Sequence, residues 1–201
     1  MKDLRIAKGQ EMRLSIILAV IDLIANEGIE GISTQKIADS LRISKSNIFY
    51  HFKSVEIILD EVFDTILSAM VQPIVNHPYK TAKDLITFIG QDSLNMNSYA
   101  RNMTIVIFQF YTLSLHNHKY QQLLLRQKEN IIFAITNELV KLTHSDQETC
   151  KIVSEMILMS LDGYGLSALL DGNHLHYQKL WELNTNYWCC LLTRNKGDLH
   201  D

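Results

Sequence analysis

Residues 28–56 constrain the fold most strongly, because they place two short helical segments and a tight turn in fewer than thirty residues. Their sequence is GIEGISTQKIADSLRISKSNIFYHFKSVE. Ser33 or Thr34 can cap the first segment and Ser44 the second, because short hydroxyl side chains accept hydrogen bonds from the free amides at helix starts. The second segment carries hydrogen-bonding and basic side chains on the face that would otherwise be closed by apolar ones. This layout is typical of a helix-turn-helix unit whose second helix lies in a nucleic-acid groove.

Apolar residues recur at three- and four-residue spacing along most of the chain, which predicts helices. The first is expected over residues 10–27, closed by Gly28 in a left-handed conformation. A fourth is expected over residues 55–71, closed by Pro73 and Pro78. No stretch alternates with the period of two that indicates a strand, so we expect an all-α protein. The remaining helices are expected over residues 81–96, 99–115, 117–142, 145–170 and 174–194.

Charge divides the chain into a head and a body. Residues 1–53 carry eight Lys/Arg against six Asp/Glu, and the remainder carries eleven against sixteen. A mildly basic head on an acidic body fits a protein that meets phosphate at one end. The longest apolar runs, such as residues 16–21, are too short to cross a bilayer, and the first residues lack the apolar centre of a secretory signal. We therefore expect a cytoplasmic protein with no membrane partner.

Lys45, Ser46 and Asn47 occupy the first turn of the second segment, which is the turn that enters the major groove. A lysine can address guanine acceptors and an asparagine an adenine edge. Hydroxyl and basic groups around this turn can reach backbone phosphates. The same pattern also fits a helical hairpin with an ordinary solvated face. The candidate DNA-binding residues are Ser33, Thr34, Arg42, Ser44, Lys45, Ser46, Asn47, Tyr50, His51 and Lys53.

The N-terminal segment carries four cations, namely Lys2, Arg5, Lys8 and Arg13. Such an arm can follow the DNA backbone or enter a minor groove. The alternative is a solvated terminus with no contact to DNA.

These motifs resemble the DNA-binding signature of the TetR family of transcriptional regulators. The resemblance is carried by IA at residues 37–38, ISKSNIFYHFKS at residues 43–54, and Glu56. It covers about residues 10–70, whereas the body is similar to the family only in size and helical layout. The resemblance implies a homodimer that binds a double-stranded DNA operator through its head, with a body that senses a small-molecule effector.

Three positions depart from the family pattern. Arg42 stands where glycine is usual, and a non-glycine residue in a left-handed turn costs about 1 kcal/mol. Phe49 replaces a usual tyrosine, so a phosphate-directed hydroxyl is missing. Val55 stands where a lysine commonly touches the backbone. Weaker or more sequence-selective DNA binding is the expected consequence.

A small-molecule site between helices needs aromatic and methionine side chains beside a few polar groups. Such a mixture occurs around residues 95–111, and Met156 and Tyr164 can complete it from the opposite side. At helical spacing, the same residues also fit a plain core. The candidate ligand-binding residues are Met96, Tyr99, Met103, Phe108, Tyr111, Met159 and Asp162.

The last two helices are expected to form a four-helix dimer interface, the usual arrangement in the family. Small side chains on one edge let another backbone approach, and large apolar side chains on the final helix supply area. The alternative is that the large ones belong to the core of their own subunit. The residues concerned are Ser160, Gly163, Ser167, Leu180, Trp181, Trp188, Leu191 and Leu192.

No pattern supports catalysis, a cofactor or a metal. The His-x-His pairs at residues 116–118 and 174–176 lack the further donors that a metal site requires. The three cysteines, Cys150, Cys189 and Cys190, argue by their odd number against a disulfide framework. A glycine-rich phosphate loop, a nucleophile elbow and a paired-carboxylate arrangement are all absent from the sequence. We therefore expect a protein that is not an enzyme.

The sequence thus predicts an all-α chain with a three-helix helix-turn-helix head in residues 1–54. A linking helix joins this head to a larger helical ligand-binding and dimerisation domain in residues 55–201. The predicted function is that of a ligand-responsive, dimeric DNA-binding repressor, released from a palindromic operator by a small-molecule effector. The alternative is a helical ligand-binding or protein-interaction module whose head has lost specific DNA binding, which Phe49 and Val55 favour.

Overall fold

The computed structural model describes the backbone of residues 2–94 and 97–193, and their side chains except those of residues 2–6 and 92. Helices account for the regular structure of these residues, and no strand occurs among them, so the all-α prediction is confirmed. The elements are α1 Lys2–Glu27, a 3₁₀ turn Ile29–Gly31, α2 Thr34–Leu41, α3 Lys45–His51, α4 Val55–Asn76, α5 Ala82–Leu94, α6 Ser98–Ser114, α7 His118–Leu142, α8 Gln147–Asp171 and α9 His174–Thr193.

The described residues form two groups of densely contacting helices. The first unit contains residues 2–68 and 102–120, and the second unit contains residues 69–94, 97–101 and 121–193. These units are defined by how densely their residues contact one another, and such contacts do not identify the residues that bind DNA or a ligand. The functional boundary expected after residue 54 therefore stays a prediction.

Helix α1 begins at Lys2, so the prediction of a start near residue 10 is wrong. The first residues lack a continuous apolar stripe, but adding turns to an existing helix costs much less than nucleating one. The predicted end is correct, because Gly28 follows with a φ of 82°. Glycine adopts this conformation without the clash that a Cβ would cause.

Helix α4 continues through Pro73 to Asn76, so the prediction of an end near residue 71 is also wrong. The extra turn buries Ile74 in the core of the second unit. The Tyr79 hydroxyl donates a hydrogen bond to the Pro73 carbonyl at 3.3 Å. Burial of apolar area in the extra turn offsets the amide hydrogen bond that proline cannot donate.

The core of the first unit is formed by one face of α1 and by the inner sides of α2, α3 and α4. Large aliphatic side chains dominate it, and burying each stabilises the fold by roughly 1.5–3 kcal/mol. The aromatic rings of Phe63 and Phe110 meet edge to face at 4.8 Å within this unit. The fully buried residues of the helix-turn-helix region and its neighbours include Ile16, Val20, Ile24, Ile37, Ile48, Phe52, Ile58 and Val62.

The core of the second unit contains both tryptophans. Trp181 and Trp188 are 3% and 1% exposed, and their rings lie 5.2 Å apart. Leu192 is also buried, whereas Leu180 and Leu191 are half-buried. The expectation that all five offer area to a second subunit is therefore wrong for Trp181, Trp188 and Leu192. They lie on the side of α9 that packs on α5 and α8, so the intramolecular alternative applies to them.

Helix α8 is long and apolar enough to cross a membrane by length and composition alone. Core helices of soluble proteins pass the same test. Cys150, Val153 and Ile157 on this helix are buried in the core of the second unit.

Candidate nucleic-acid interface

Two serine caps fix the ends of the short helices. The Ser33 hydroxyl accepts a hydrogen bond from the Lys36 amide at 3.3 Å, so Ser33 and not Thr34 caps α2. The Ser44 hydroxyl accepts from the Asn47 amide, also at 3.3 Å, and caps α3. Each cap satisfies an amide that a helix start otherwise leaves free. Both helices therefore begin where the sequence predicted, and the first turn of α3 is held by its own cap.

Helix α3 has an inner and an outer side. Ile48 and Phe52, which follows its last residue, are 1% and 2% exposed and anchor the helix in the first unit. Asn47 and His51 are half-buried at the edges. The exposed side carries Lys45, Ser46, Phe49, Tyr50 and, just beyond the helix, Lys53. The hydrogen-bonding groups of the first turn thus face outward, with Asn47 at the margin.

The turn between α2 and α3 is closed by Arg42 in the left-handed conformation, with φ 55° and ψ 42°. It is the one non-glycine residue with positive φ among residues 2–94 and 97–193. Its amide donates to the Ala38 and Asp39 carbonyls, and the next amide, of Ile43, donates to Ala38 at 3.0 Å. These bonds hold a conformation that costs a β-carbon-bearing residue about 1 kcal/mol. The Arg42 side chain is exposed.

The positive charges around α3 are not neutralised within the described part of the chain. Lys36 of α2 pairs with Glu27 at the end of α1, at 2.6 Å. Arg42, Lys45 and Lys53 are exposed and form no ion pair with described residues. Three free cations beside an exposed polar helix create a local positive potential that attracts phosphate.

Arg13, a half-buried residue of α1, braces the end of α3. Its guanidinium donates to the His51 carbonyl at 2.5 Å, pairs with the Glu61 carboxylate, and lies 4.1 Å from the centre of the Phe52 ring. The expectation that Arg13 belongs to a DNA-contacting arm is therefore wrong, because these partners occupy it. Lys8 is exposed on α1, and the side chains of Lys2 and Arg5 lie outside the described residues.

A charged cluster inside the first unit ties the start of α4 to the start of α7, and no sequence pattern indicated it. The Lys119 ammonium bonds to the Glu56 carboxylate at 3.0 Å and to Asp60 at 2.7 Å. The Tyr120 hydroxyl donates to Asp60 at 3.2 Å. Burial, together with the neighbouring Asp60 charge, raises the pKa of Tyr120 to about 12. Hydrogen bonds to the same carboxylates raise the pKa of Lys119.

The candidate ligand-binding residues divide between the two units. In the first unit, Met103 is buried, and the half-buried rings of Phe108 and Tyr111 meet edge to face at 5.6 Å. In the second unit, Tyr99 is 56% exposed and Met159 is 60% exposed.

The polar ligand candidate, Asp162, lies 4.0 Å from the Lys128 ammonium. Of the residues that were expected to complete the site, Met156 and Tyr164 are half-buried, and the Tyr164 hydroxyl accepts from Asn184 at 2.6 Å. Met96 lies outside the described residues. The ligand-binding assignments stay predictions.

A surface cavity of about 440 Å³ opens between α1 and α2 in the first unit. None of the candidate ligand-binding residues lines it, and its position could not be anticipated from periodicity. Among the residues that the structure describes, no group of three His, Cys, Asp or Glu side chains could hold a metal ion. The lining residues of the cavity are Ser15, Leu18, Ala19, Asp22, Leu23, Asn26, Glu27, Ser40 and Leu41.

Comparison with known proteins identifies the helix-turn-helix segment. A family model described as bacterial regulatory proteins, tetR family, matches residues 16–62, from the middle of α1 into α4. The tetracycline repressor protein class C of Escherichia coli is 26% identical over 72 residues. That match spans 36% of this chain and 30% of the length of the repressor. The family model therefore matches a segment in the amino-terminal part of the chain.

Solved structures share the fold of nearly the whole chain. A TetR transcription regulator from Haloarcula marismortui has a TM-score of 0.75 at 12% identity, over 92% of this chain and 100% of its own. A putative transcriptional regulator from Saccharomonospora viridis, in complex with choline, has a TM-score of 0.73 at 22% identity. The match covers 89% of this chain and 97% of that regulator. At such identities the likeness concerns the fold. The family model thus matches the helix-turn-helix segment, and the fold of nearly the whole chain is similar to that of a TetR transcription regulator.

Proposed function

We propose that the protein is a ligand-responsive, dimeric DNA-binding transcriptional regulator, a repressor that a small-molecule effector releases from a palindromic operator. The observation that carries the DNA-binding part is the outer side of α3, where Lys45 and Ser46 are exposed beside the unpaired cations Arg42 and Lys53. A polar, positively charged helix face of this kind suits the major groove. The protein acts as a cytoplasmic, soluble regulator in this proposal.

The side chains of the interface divide into two roles. Lys45 and Asn47, in the first turn of α3, contact base edges. The remaining candidates contact phosphates and position the helix without selecting sequence. Replacing Lys45 or Asn47 by alanine changes which duplexes bind, at about 1–3 kcal/mol per lost base contact. Replacing Lys53 by alanine weakens all duplexes alike and lowers the salt dependence by about one counterion.

The dimer interface is proposed on the exposed edges of α8 and α9. Trp181 and Trp188 are buried, but other large apolar side chains on both helices face outward. On α8 they recur at helical spacing around Gly163, which is exposed and has open space where a β-carbon would lie. Large apolar side chains exposed along two neighbouring helices are characteristic of a surface that a second subunit covers. The residues are Ile152, Met159, Leu166 and Leu170 of α8, with Leu175, Leu183 and Tyr187 of α9.

Met159 was also a candidate ligand-binding residue, and its 60% exposure on this edge fits the interface better than an enclosed site. Light scattering tests the interface. Leu166→Glu and Leu183→Glu are expected to convert a dimer into monomers, while Phe133→Glu, at a 65% exposed position on α7, leaves the mass unchanged.

The effector is proposed to contact the buried Met103 and the half-buried Phe108 and Tyr111 on α6, with Met96, Tyr99 and Asp162 as further candidates. The choline complex of the Saccharomonospora viridis neighbour makes small organic cations a class to include in a screen. An effector releases DNA only if it binds the DNA-incompetent conformation more tightly than the DNA-bound one.

The proposed function is tested by selecting bound fragments from the genomic DNA of the source organism and measuring affinity by fluorescence anisotropy. We expect tight binding to a near-palindromic duplex whose half-sites are about 34–36 Å apart. Failure to bind either selected or random duplexes at low salt contradicts the proposal and favours a ligand-binding or interaction module with an inactive head.

A further inference from the structure

Phe49 is the exposed residue of α3 that carries no polar atom in its side chain. It is 53% exposed, while the neighbouring apolar residues Ile48 and Phe52 are almost fully buried. The other exposed side chains of the helix, Lys45, Ser46 and Tyr50, all end in a hydrogen-bonding group. The helix therefore presents one apolar ring in the middle of a polar face.

The position of Phe49 places it beside the base-contacting turn. It lies four residues after Lys45 and three after Ser46, and residues at these spacings are neighbours on a helix surface, with β-carbons about 5–6 Å apart. The ring of Phe49 is thus next to the first turn on the same exposed side of α3, one turn further along. A phosphate contact by hydrogen bonding is closed to it, because phenylalanine has no hydroxyl.

The largest apolar group that the major groove displays is the C5-methyl of thymine. The other base edges carry donors or acceptors, and covering such a group with a ring removes its water without supplying a hydrogen bond. Covering a methyl group instead removes apolar surface of both partners from water, which is favourable. An exposed phenylalanine ring in the major groove can therefore discriminate between bases through desolvation, with no hydrogen bond of its own.

We propose that Phe49 is a specificity-determining residue of this protein and that its ring selects thymine in each operator half-site by contact with the C5-methyl group. The proposal rests on the proposed DNA-binding function and adds to it a base contact from a residue outside the candidate set. The proposal also explains what the phenylalanine at position 49 does in place of the usual tyrosine. The contact of a tyrosine hydroxyl with the DNA backbone is replaced by a contact of the ring with a base.

The test replaces each thymine of a genomically selected duplex by deoxyuridine, which removes the methyl group and leaves the pairing edge unchanged. At one thymine per half-site, we expect the wild-type protein to lose about fourfold in affinity per methyl group, and about 15-fold when both half-sites are changed. Salt is kept low enough that phosphate contacts hold every variant on the duplex.

Three variants separate a base contact from a general effect. Phe49→Ala is expected to bind the thymine and deoxyuridine duplexes equally well. Phe49→Leu keeps an apolar contact and should retain part of the preference. Tyr50→Phe, at the adjacent position, is expected to bind more weakly while keeping the full preference of the wild type. Since Phe49 is largely exposed, Phe49→Ala should unfold at the wild-type temperature.

Two outcomes overturn the inference while leaving DNA binding intact. One is a wild-type protein that tolerates deoxyuridine at every position. The other is an equal loss in the wild type and in Phe49→Ala, which would assign the methyl contact to another residue. Absence of binding to any duplex is a distinct result, because it overturns the proposed function together with this inference.

Discussion

Replacing Gly90 by alanine should destabilise the second unit, because the glycine of α5 lies directly beneath the indole of Trp181. A β-carbon at this position would lie 2.0 Å from the Trp181 ring nitrogen and 2.2–2.3 Å from two ring carbons. The ring is 3% exposed and packs edge to face on Trp188, so it has no free space to move into. The ring nitrogen also donates to the Ile86 carbonyl at 2.9 Å, which fixes the indole over the glycine.

The magnitude follows from three contributions. Forcing extra volume into a packed core costs about 1–3 kcal/mol, and an overlap this deep belongs at the upper end. Displacing the indole breaks its hydrogen bond to Ile86, at about 1 kcal/mol. Alanine is favoured over glycine within a helix by about 1 kcal/mol, which offsets the lost bond. We therefore expect Gly90→Ala to lower the free energy of unfolding by about 3 kcal/mol.

Urea unfolding followed by circular dichroism, at one fixed protein concentration, measures this change. In thermal unfolding the same loss corresponds to a midpoint roughly 6–12 °C lower for a chain of this size. Gly9→Ala on α1 is the matched control, since nothing lies within 4 Å of a β-carbon there. That variant should be as stable as the wild type, or more stable by up to about 1 kcal/mol.

A double variant distinguishes steric overlap from other causes. Trp181→Leu alone is destabilising, because it removes a large buried ring. Combined with Gly90→Ala, it should cost clearly less than the sum of the two single changes, since the smaller side chain leaves room for the methyl group. If Gly90→Ala is as stable as the wild type, or if the two changes are strictly additive in the double variant, steric overlap with Trp181 is not the cause.

Three further predictions concern other parts of the molecule. Arg42→Gly should raise the free energy of unfolding by about 1 kcal/mol in thermal unfolding, because glycine tolerates φ 55°. The same change removes a cation, so anisotropy titrations should show weaker DNA binding with a smaller salt dependence. The pKa of Tyr120 is raised to about 12, so its contribution to stability is complete below pH 10 and is lost as pH rises through 12. In Tyr120→Phe, urea titrations at pH 9.5 and 11.5 should therefore show a smaller alkaline loss than in the wild type. Burial raises the pKa of the Cys150 thiol, whereas Cys190 is exposed, so a thiol reagent should modify Cys190 in the native protein and Cys150 only on unfolding.

The helix-turn-helix region could be predicted nearly residue by residue. Ser33 and Ser44 cap α2 and α3 as their positions in the sequence indicate, and Gly28 ends α1. Each of these features depends on hydrogen bonds or backbone preferences within about four residues, so the information is local. The outward direction of Lys45 and Ser46 likewise follows from helical periodicity once Ile48 is assigned to the core.

Predictions failed where a residue's partner is distant along the chain. Arg13 could be counted as a cation of a terminal arm, but its partners His51 and Glu61 are 38 and 48 residues away. The cluster of Lys119 with Asp60 joins residues 59 positions apart. No periodicity encodes such pairs, because their geometry exists only after the helices have packed.

Local sequence patterns are sufficient to predict that this chain is helical, where most of its helices lie, and that residues 28–56 contain a helix-turn-helix segment. Which apolar side chains form the core and which face outward follows only from how the helices pack. Trp181 was expected at the dimer interface but is buried, whereas Leu183, which was not among the expected residues, is 65% exposed. The physical reason is that burial depends on what packs against a side chain, and the hydrogen-bond partner of Trp181 is the carbonyl of Ile86, 95 residues away.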